Sequence, residues 1–226
     1  MQTRIQIKIC GVTNANDARA CVELGADMIG FNFYSASPRY IEPAIARGIV
    51  DVLPAGTCAV GVFVDADPAE IRKLAKTAGV RCVQLHGHAT PESCGELAGE
   101  FRVIRALSTD PRFEPGQTAA FAECDVLIDA YHPELRGGTG QTCDWSAARA
   151  AMRYTRFLIL SGGLDAQNVG QAIAAVTPNA VDVCSGIESA PGVKDHDAIK
   201  NFITAVRTAD LSFQRSNHTS SQGVSF

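Results

Sequence analysis

Short apolar, β-rich runs recur along the chain at residues 5–9, 28–33, 58–64, 81–85, 102–107, 126–129, 156–160 and 180–183. Between them lie Ala-rich stretches with helical spacing, clearest at 14–24, 69–78, 145–152, 166–174 and 196–206. Strand starts fall roughly 20–30 residues apart, the length of one βα unit. The runs lack a clean apolar/polar alternation, as required of parallel strands buried on both faces. Eight such units fit a (β/α)8 TIM barrel, whereas a doubly wound sheet usually needs only about five or six strands.

Local signals agree with this layout. Asn14, Asp67, Thr90, Asp144, Asp165 and Asp195 each precede a helical stretch as N-cap candidates, with Pro68 and Pro91 at first-turn positions. Gly25 and Gly79 follow helices, where a left-handed cap residue is wanted. A single domain over residues 1–210 is expected. The polar segment 211–226 has no periodicity and reads as a frayed tail.

Composition narrows the functional classes. With 46% hydrophobic and 19% charged residues in 226, the chain can bury a sizeable core. A net charge of −4 without a basic stripe argues against nucleic acid as the main partner. No apolar run approaches the roughly 18–20 residues needed to cross a bilayer, and the first residues enter a strand pattern at once, leaving no room for a signal peptide. The eight cysteines form no CxxC pair and mostly sit in or beside apolar runs, so they read as small buried hydrophobes in a reducing cytoplasm.

In such a barrel the active site is built from the C-terminal ends of the strands and the loops after them. Cys10 ends the first strand, between Ile9 and Gly11. It is either a buried strand-end cysteine or a thiolate base whose pKa is lowered by nearby positive charge, and Lys8 lies two residues away on the same side of a strand. Asp129 ends the run Val126-Leu127-Ile128. A carboxyl there is a loop cap or, with its pKa raised by partial burial, a general acid. His86 ends the fourth strand and can donate to a substrate, orient a neighbour or serve structure alone. Arg39, after Pro38, offers a planar fork to a carboxylate or phosphate, or a surface salt bridge.

Gly162-Gly163 and Ser185-Gly186 follow the seventh and eighth strands, where barrels commonly hold phosphate on backbone amides. The loop Gly137-Gly138-Thr139-Gly140 lacks the ending of a P-loop and reads as a lid, with Trp145 beyond it as a packing anchor. Histidine spacing supplies no metal site, and no dinucleotide fingerprint follows the first strand. A thiol and an acid facing a phosphate cradle describe acid/base chemistry on a small phosphorylated substrate.

Many of these segments resemble phosphoribosylanthranilate isomerases. They include Lys8-Ile9-Cys10-Gly11, Ser37-Pro38-Arg39, Gln84-Leu85-His86-Gly87, Gly137-Gly138-Thr139-Gly140, Gly162-Gly163-Leu164 and Ser185-Gly186-Ile187-Glu188. The matches run in order over nearly the whole chain apart from the tail. The resemblance implies an Amadori rearrangement in tryptophan biosynthesis, without a cofactor and by a monomer or homodimer. It implies Cys10 as general base, Asp129 as general acid, Arg39 on the anthranilate side and the two glycine turns on the phosphate. Cys143 stands where the family often has Phe, and Cys184 where Ser is common. Neither is expected to touch the acid or the base, and the Cys184 side chain is expected to matter little.

Two rivals share parts of this pattern. The histidine-pathway phosphoribosyl sugar isomerase resembles the chain in its phosphate turns, but typically uses Asp as the strand-one base. A non-catalytic barrel that binds a phosphoribosyl ligand would keep the glycine turns with no reason to keep both Cys10 and Asp129.

Overall fold

The computed structural model describes residues 4–130 and 143–221, with side chains described as far as Ser212. Eight parallel strands close into a barrel in chain order. They are β1 (Gln6–Ile9), β2 (Met28–Asn32), β3 (Cys58–Val64), β4 (Cys82–His86), β5 (Arg102–Ser108), β6 (Asp125–Asp129), β7 (Leu158–Leu160) and β8 (Ala180–Val183). Closure is made by β1 against β8, with Lys8 opposite Asp182 and Ile9 opposite Val183. A small hairpin, β9 (Glu188–Ala190) and β10 (Val193–Lys194), follows β8.

Seven α-helices cover the barrel: α1 (Ala15–Leu24), α2 (Pro43–Val50), α3 (Pro68–Ala78), α4 (Pro91–Ala98), α5 (Trp145–Ala151), α6 (Val169–Val176) and α7 (His196–Ser221). A 3-10 segment over Pro115–Phe121 takes the helical position between β5 and β6. The Asn14, Asp67, Thr90 and Asp144 side chains each accept backbone N–H bonds at their helix starts. Gly25 and Gly79 end α1 and α3 in the left-handed conformation.

Asp165 departs from the expected role. Its carboxylate accepts from the Gln167 and Asn168 amides and holds a turn, and α6 begins only at Val169, behind Asn168. The last helix also differs: it continues to Ser221, through much of the segment set aside as a tail. Its course is fixed as far as residue 210, where the Asp210 carboxylate accepts from the Ile5 amide at 3.1 Å and the Arg207 guanidinium donates to the Ile5 carbonyl at 2.6 Å.

Strand alternation divides two cores. Ile7, Ile9, Phe31, Leu85, Val126, Ile128, Leu160 and Val181 face the helices, while Met28, Val60, Cys82, Ile104, Leu127, Ile159 and Ala180 fill the barrel interior. Both faces are apolar, which removes the alternation from the sequence. Polar and titratable side chains gather at the C-terminal mouth of the barrel.

Candidate functional site

Cys10, Asp129, Arg39 and His86 all line one cavity of about 510 Å³ at that mouth, together with Gln84, Ser161, Asp182 and Cys184. Asp182 projects inward from β8 for the same reason that Lys8 projects from β1, because the two occupy paired register positions. The Lys8 side chain is wholly buried, its Nζ 2.9 Å from Asp182 Oδ1, and Ser161 Oγ donates to the other carboxylate oxygen at 3.2 Å. Burial alone would lower the Lys8 pKa, but the Asp182 and Cys10 charges overcome it and the net shift is upward. A fixed positive charge therefore sits buried beside the thiol.

Cys10 follows β1, its amide donating to the Val183 carbonyl at 2.9 Å. The neighbouring Cys184 thiol is the largest influence on the Cys10 sulfur. That contact and the Lys8 ammonium together outweigh burial and the Asp182 carboxylate, and bring the Cys10 pKa down to about 6. The same contact and burial push Cys184 up. The expectation that the Cys184 side chain stands apart from the chemistry is therefore wrong. Gly30 on β2 makes room here, since a Cβ on it would come within 2.9 Å of the Cys10 sulfur.

Asp129 closes β6. Its Oδ1 accepts from the Ala130 amide at 2.9 Å. Burial is the main cause of its upward shift, to about 7, with the Asp182 and Cys10 charges adding to it. Cys143 lies within electrostatic reach of Asp129, with no hydrogen bond to it among the described contacts. Burial first, and the Asp129 charge second, push the Cys143 thiol up to about 12.

Arg39 is not free. Its Nε and Nη2 edge holds Glu188 at 2.7–3.0 Å, and Lys194 donates to the same carboxylate at 2.7 Å. A guanidinium with that edge engaged keeps its remaining N–H groups, chiefly on Nη1, for a ligand. Glu188 and Lys194 come from the β9–β10 hairpin, which no periodic signal in the sequence marked. The ring Nε2 of His86 lies 2.6 Å from the Gln84 carboxamide nitrogen.

The four residues of the glycine turns do not line this cavity. Ser161 and Cys184, which immediately precede them, do. The turns are packed together: Gly162 has φ +87° with an imagined Cβ 2.5 Å from the Ala130 amide nitrogen, and a Cβ on Gly186 would run into the Leu164 carbonyl. Only glycine permits either arrangement. The proposed lid at 137–140 lies outside the described residues. Among the described residues no group of three or more His, Cys, Asp or Glu side chains is placed to hold a metal ion, and no helix is long and apolar enough to cross a membrane.

Residues 7–205 match the family model described as N-(5'-phosphoribosyl)anthranilate isomerase. The isomerase of that name from Thermotoga maritima is 44% identical over 199 residues, covering 88% of this chain and 97% of its own. The one from Trichlorobacter lovleyi is 42% identical over 205 residues, covering 91% and 99%. The crystal structure of the Thermotoga maritima enzyme superposes with a TM-score of 0.85 at 43% identity, covering 90% of this chain and 99% of that one. A further isomerase structure, in complex with reduced 1-(o-carboxyphenylamino)-1-deoxyribulose 5-phosphate, gives 0.81 at 40% identity, covering 90% and 99%.

Proposed function

The chain belongs to the N-(5'-phosphoribosyl)anthranilate isomerase family, and from that premise we propose that Cys10 and Asp129 divide the proton transfers of its reaction between them. The reaction converts the aminoaldose N-(5'-phosphoribosyl)anthranilate into the aminoketose 1-(2-carboxyphenylamino)-1-deoxyribulose 5-phosphate, a step of tryptophan biosynthesis.

The observation that carries the residue assignment is that Cys10 and Asp129 line one cavity, with surroundings that shift their ionisations toward each other. The thiol is lowered to about 6 while the carboxyl is raised to about 7. Between those values the thiol is a thiolate and the carboxyl keeps its proton, the opposite of their ordinary states. Asp129 then donates to the ribose ring oxygen, the C–O bond breaks and the nitrogen lone pair forms an iminium. Cys10 thiolate removes the proton from the adjacent sugar carbon. The resulting enolamine tautomerises to the ketone, and proton exchange with water returns both groups to their starting states. Each such group contributes on the order of 10²–10⁴ in rate.

The remaining assignments follow from chemistry. Arg39 presents cationic N–H groups toward the anthranilate carboxylate. The amides of Gly162, Gly163, Ser185 and Gly186 hold the phosphate at the rim, one turn beyond Ser161 and Cys184. His86, oriented by Gln84, contacts the substrate from β4.

The test follows product formation by the change in anthranilate fluorescence, the labile substrate being generated in place by the preceding enzyme from anthranilate and phosphoribosyl pyrophosphate. Cys10→Ala and Asp129→Asn should each collapse turnover while retaining product binding. Turnover by either variant at the wild-type rate would remove that residue from the mechanism.

A further inference from the structure

Cys10 and Cys184 close adjacent strands at one level of the barrel. Ile9 pairs with Val183 in parallel register and the Cys10 amide donates to the Val183 carbonyl, so the two cysteines are the next pair of neighbours. Lys8 and Asp182, two residues earlier on each strand, point inward together, and the period of two turns both thiols inward as well. Neighbouring strands lie roughly 4.8 Å apart, inside the roughly 4.4–6.8 Å over which a disulfide joins two Cα atoms. Both side chains line the same open cavity.

We propose that this pair is an oxidisable site, in which Cys184 resolves a peroxide-oxidised Cys10 into a reversible disulfide that shuts the isomerase. The activity loss rests on Cys10 being the base; the disulfide itself does not. In the first step the Cys10 thiolate attacks a peroxide oxygen. The O–O bond breaks, the leaving hydroxide takes a proton to become water, and Cys10 is left as a sulfenic acid. In the second step Cys184 gives up its proton and attacks the Cys10 sulfur. The S–S bond forms, the S–O bond breaks, and the departing hydroxide takes the Cys184 proton. Two thiols lose two electrons and the peroxide leaves as two waters.

The surroundings favour the second step. While Cys10 is a thiolate its charge holds the Cys184 proton in place. The sulfenic acid removes that charge, leaving Lys194 Nζ 3.9 Å from the Cys184 sulfur and Arg39 packed beside it, against one carboxylate, Glu188, also at 3.9 Å. Cys58 with Cys82, and Cys94 with Cys124, are also thiols that influence each other, but none of the four lines the cavity.

The test treats the whole protein with hydrogen peroxide, blocks free thiols, and maps disulfides by peptide mass beside turnover. Wild type should yield a Cys10–Cys184 linked peptide, lose turnover in step with the linked fraction, and recover both with dithiothreitol. In Cys184→Ser, Cys10 should advance to the sulfinic acid, which dithiothreitol does not restore. Wild-type Cys10 reaching the sulfinic acid without a link, or a link confined to Cys58–Cys82 or Cys94–Cys124, would overturn the proposal. Untreated Cys10→Ala in the same assay separates the two readings. Full turnover there removes the base assignment, whereas a dead Cys10→Ala with no link in wild type removes only the redox site.

Discussion

Replacing Lys8 by Met keeps the length of the buried stem and deletes its charge. The Lys8 ammonium is the only cation bonded to the Asp182 carboxylate among the described contacts, so the variant leaves that carboxylate buried with Ser161 as its remaining side-chain donor. Removing one member of a buried ion pair costs about 3–5 kcal/mol. At about 2–4 °C per kcal/mol for a chain of this size, Tm should fall by about 6–20 °C at neutral pH. The loss follows from a buried carboxylate left without its cation. The activity profile should move as well. Lys8 lowers the pKa of both Cys10 and Asp129, so its loss raises both and shifts the whole kcat/KM profile to higher pH. Thermal unfolding across pH, with kcat/KM across the same range, measures both effects. A Tm equal to wild type at pH 8, or a profile that stays in place, would refute the reasoning.

Other perturbations address neighbouring parts of the site. In wild type kcat/KM should rise through about pH 6 as Cys10 ionises and fall through about pH 7 as Asp129 loses its proton, a narrow bell; a profile flat from pH 5 to 8 would contradict it. Gly30→Ala places a methyl 2.9 Å from the Cys10 sulfur and 3.2 Å from Lys8 Nζ. It should cost about 1–3 kcal/mol in stability and lower turnover about tenfold or more through the displaced base. Gly186→Ala forces the β8 turn away from the Leu164 carbonyl. Each phosphate hydrogen bond lost should raise the product Kd about 10–100-fold, measured by calorimetry.

The strands were legible because parallel burial leaves dense apolar runs: the expected 58–64 and 180–183 match β3 and β8 to the residue. The proposed catalytic pair was legible because Cys10 and Asp129 are polar interruptions at strand ends. The helices α2 and α4 were not drawn as periodic stretches, because each spans only eight residues, too short for a clear period, although Thr90 and Pro91 marked the second. What stayed hidden depends on pairing across the chain. Asp182 sits within Val181-Asp182-Val183 as Lys8 sits within Ile7-Lys8-Ile9, and each looks anomalous alone. Only barrel closure, joining residues 174 positions apart, makes them a pair. The same closure brings Cys184 to Cys10, and the hairpin brings Glu188 to Arg39, contacts that strand-end rules do not reach. The helical course of 207–221 was missed because that stretch, beyond Leu211, carries little apolar periodicity.

The most direct test of the acid/base account is the pH dependence of Cys10 alkylation, read as the iodoacetamide adduct on the Cys10 peptide. The account predicts a rate that rises through a midpoint near 6 and a parallel loss of turnover. A midpoint near 8.5, that of an ordinary thiol, or alkylation that leaves turnover intact, would contradict it.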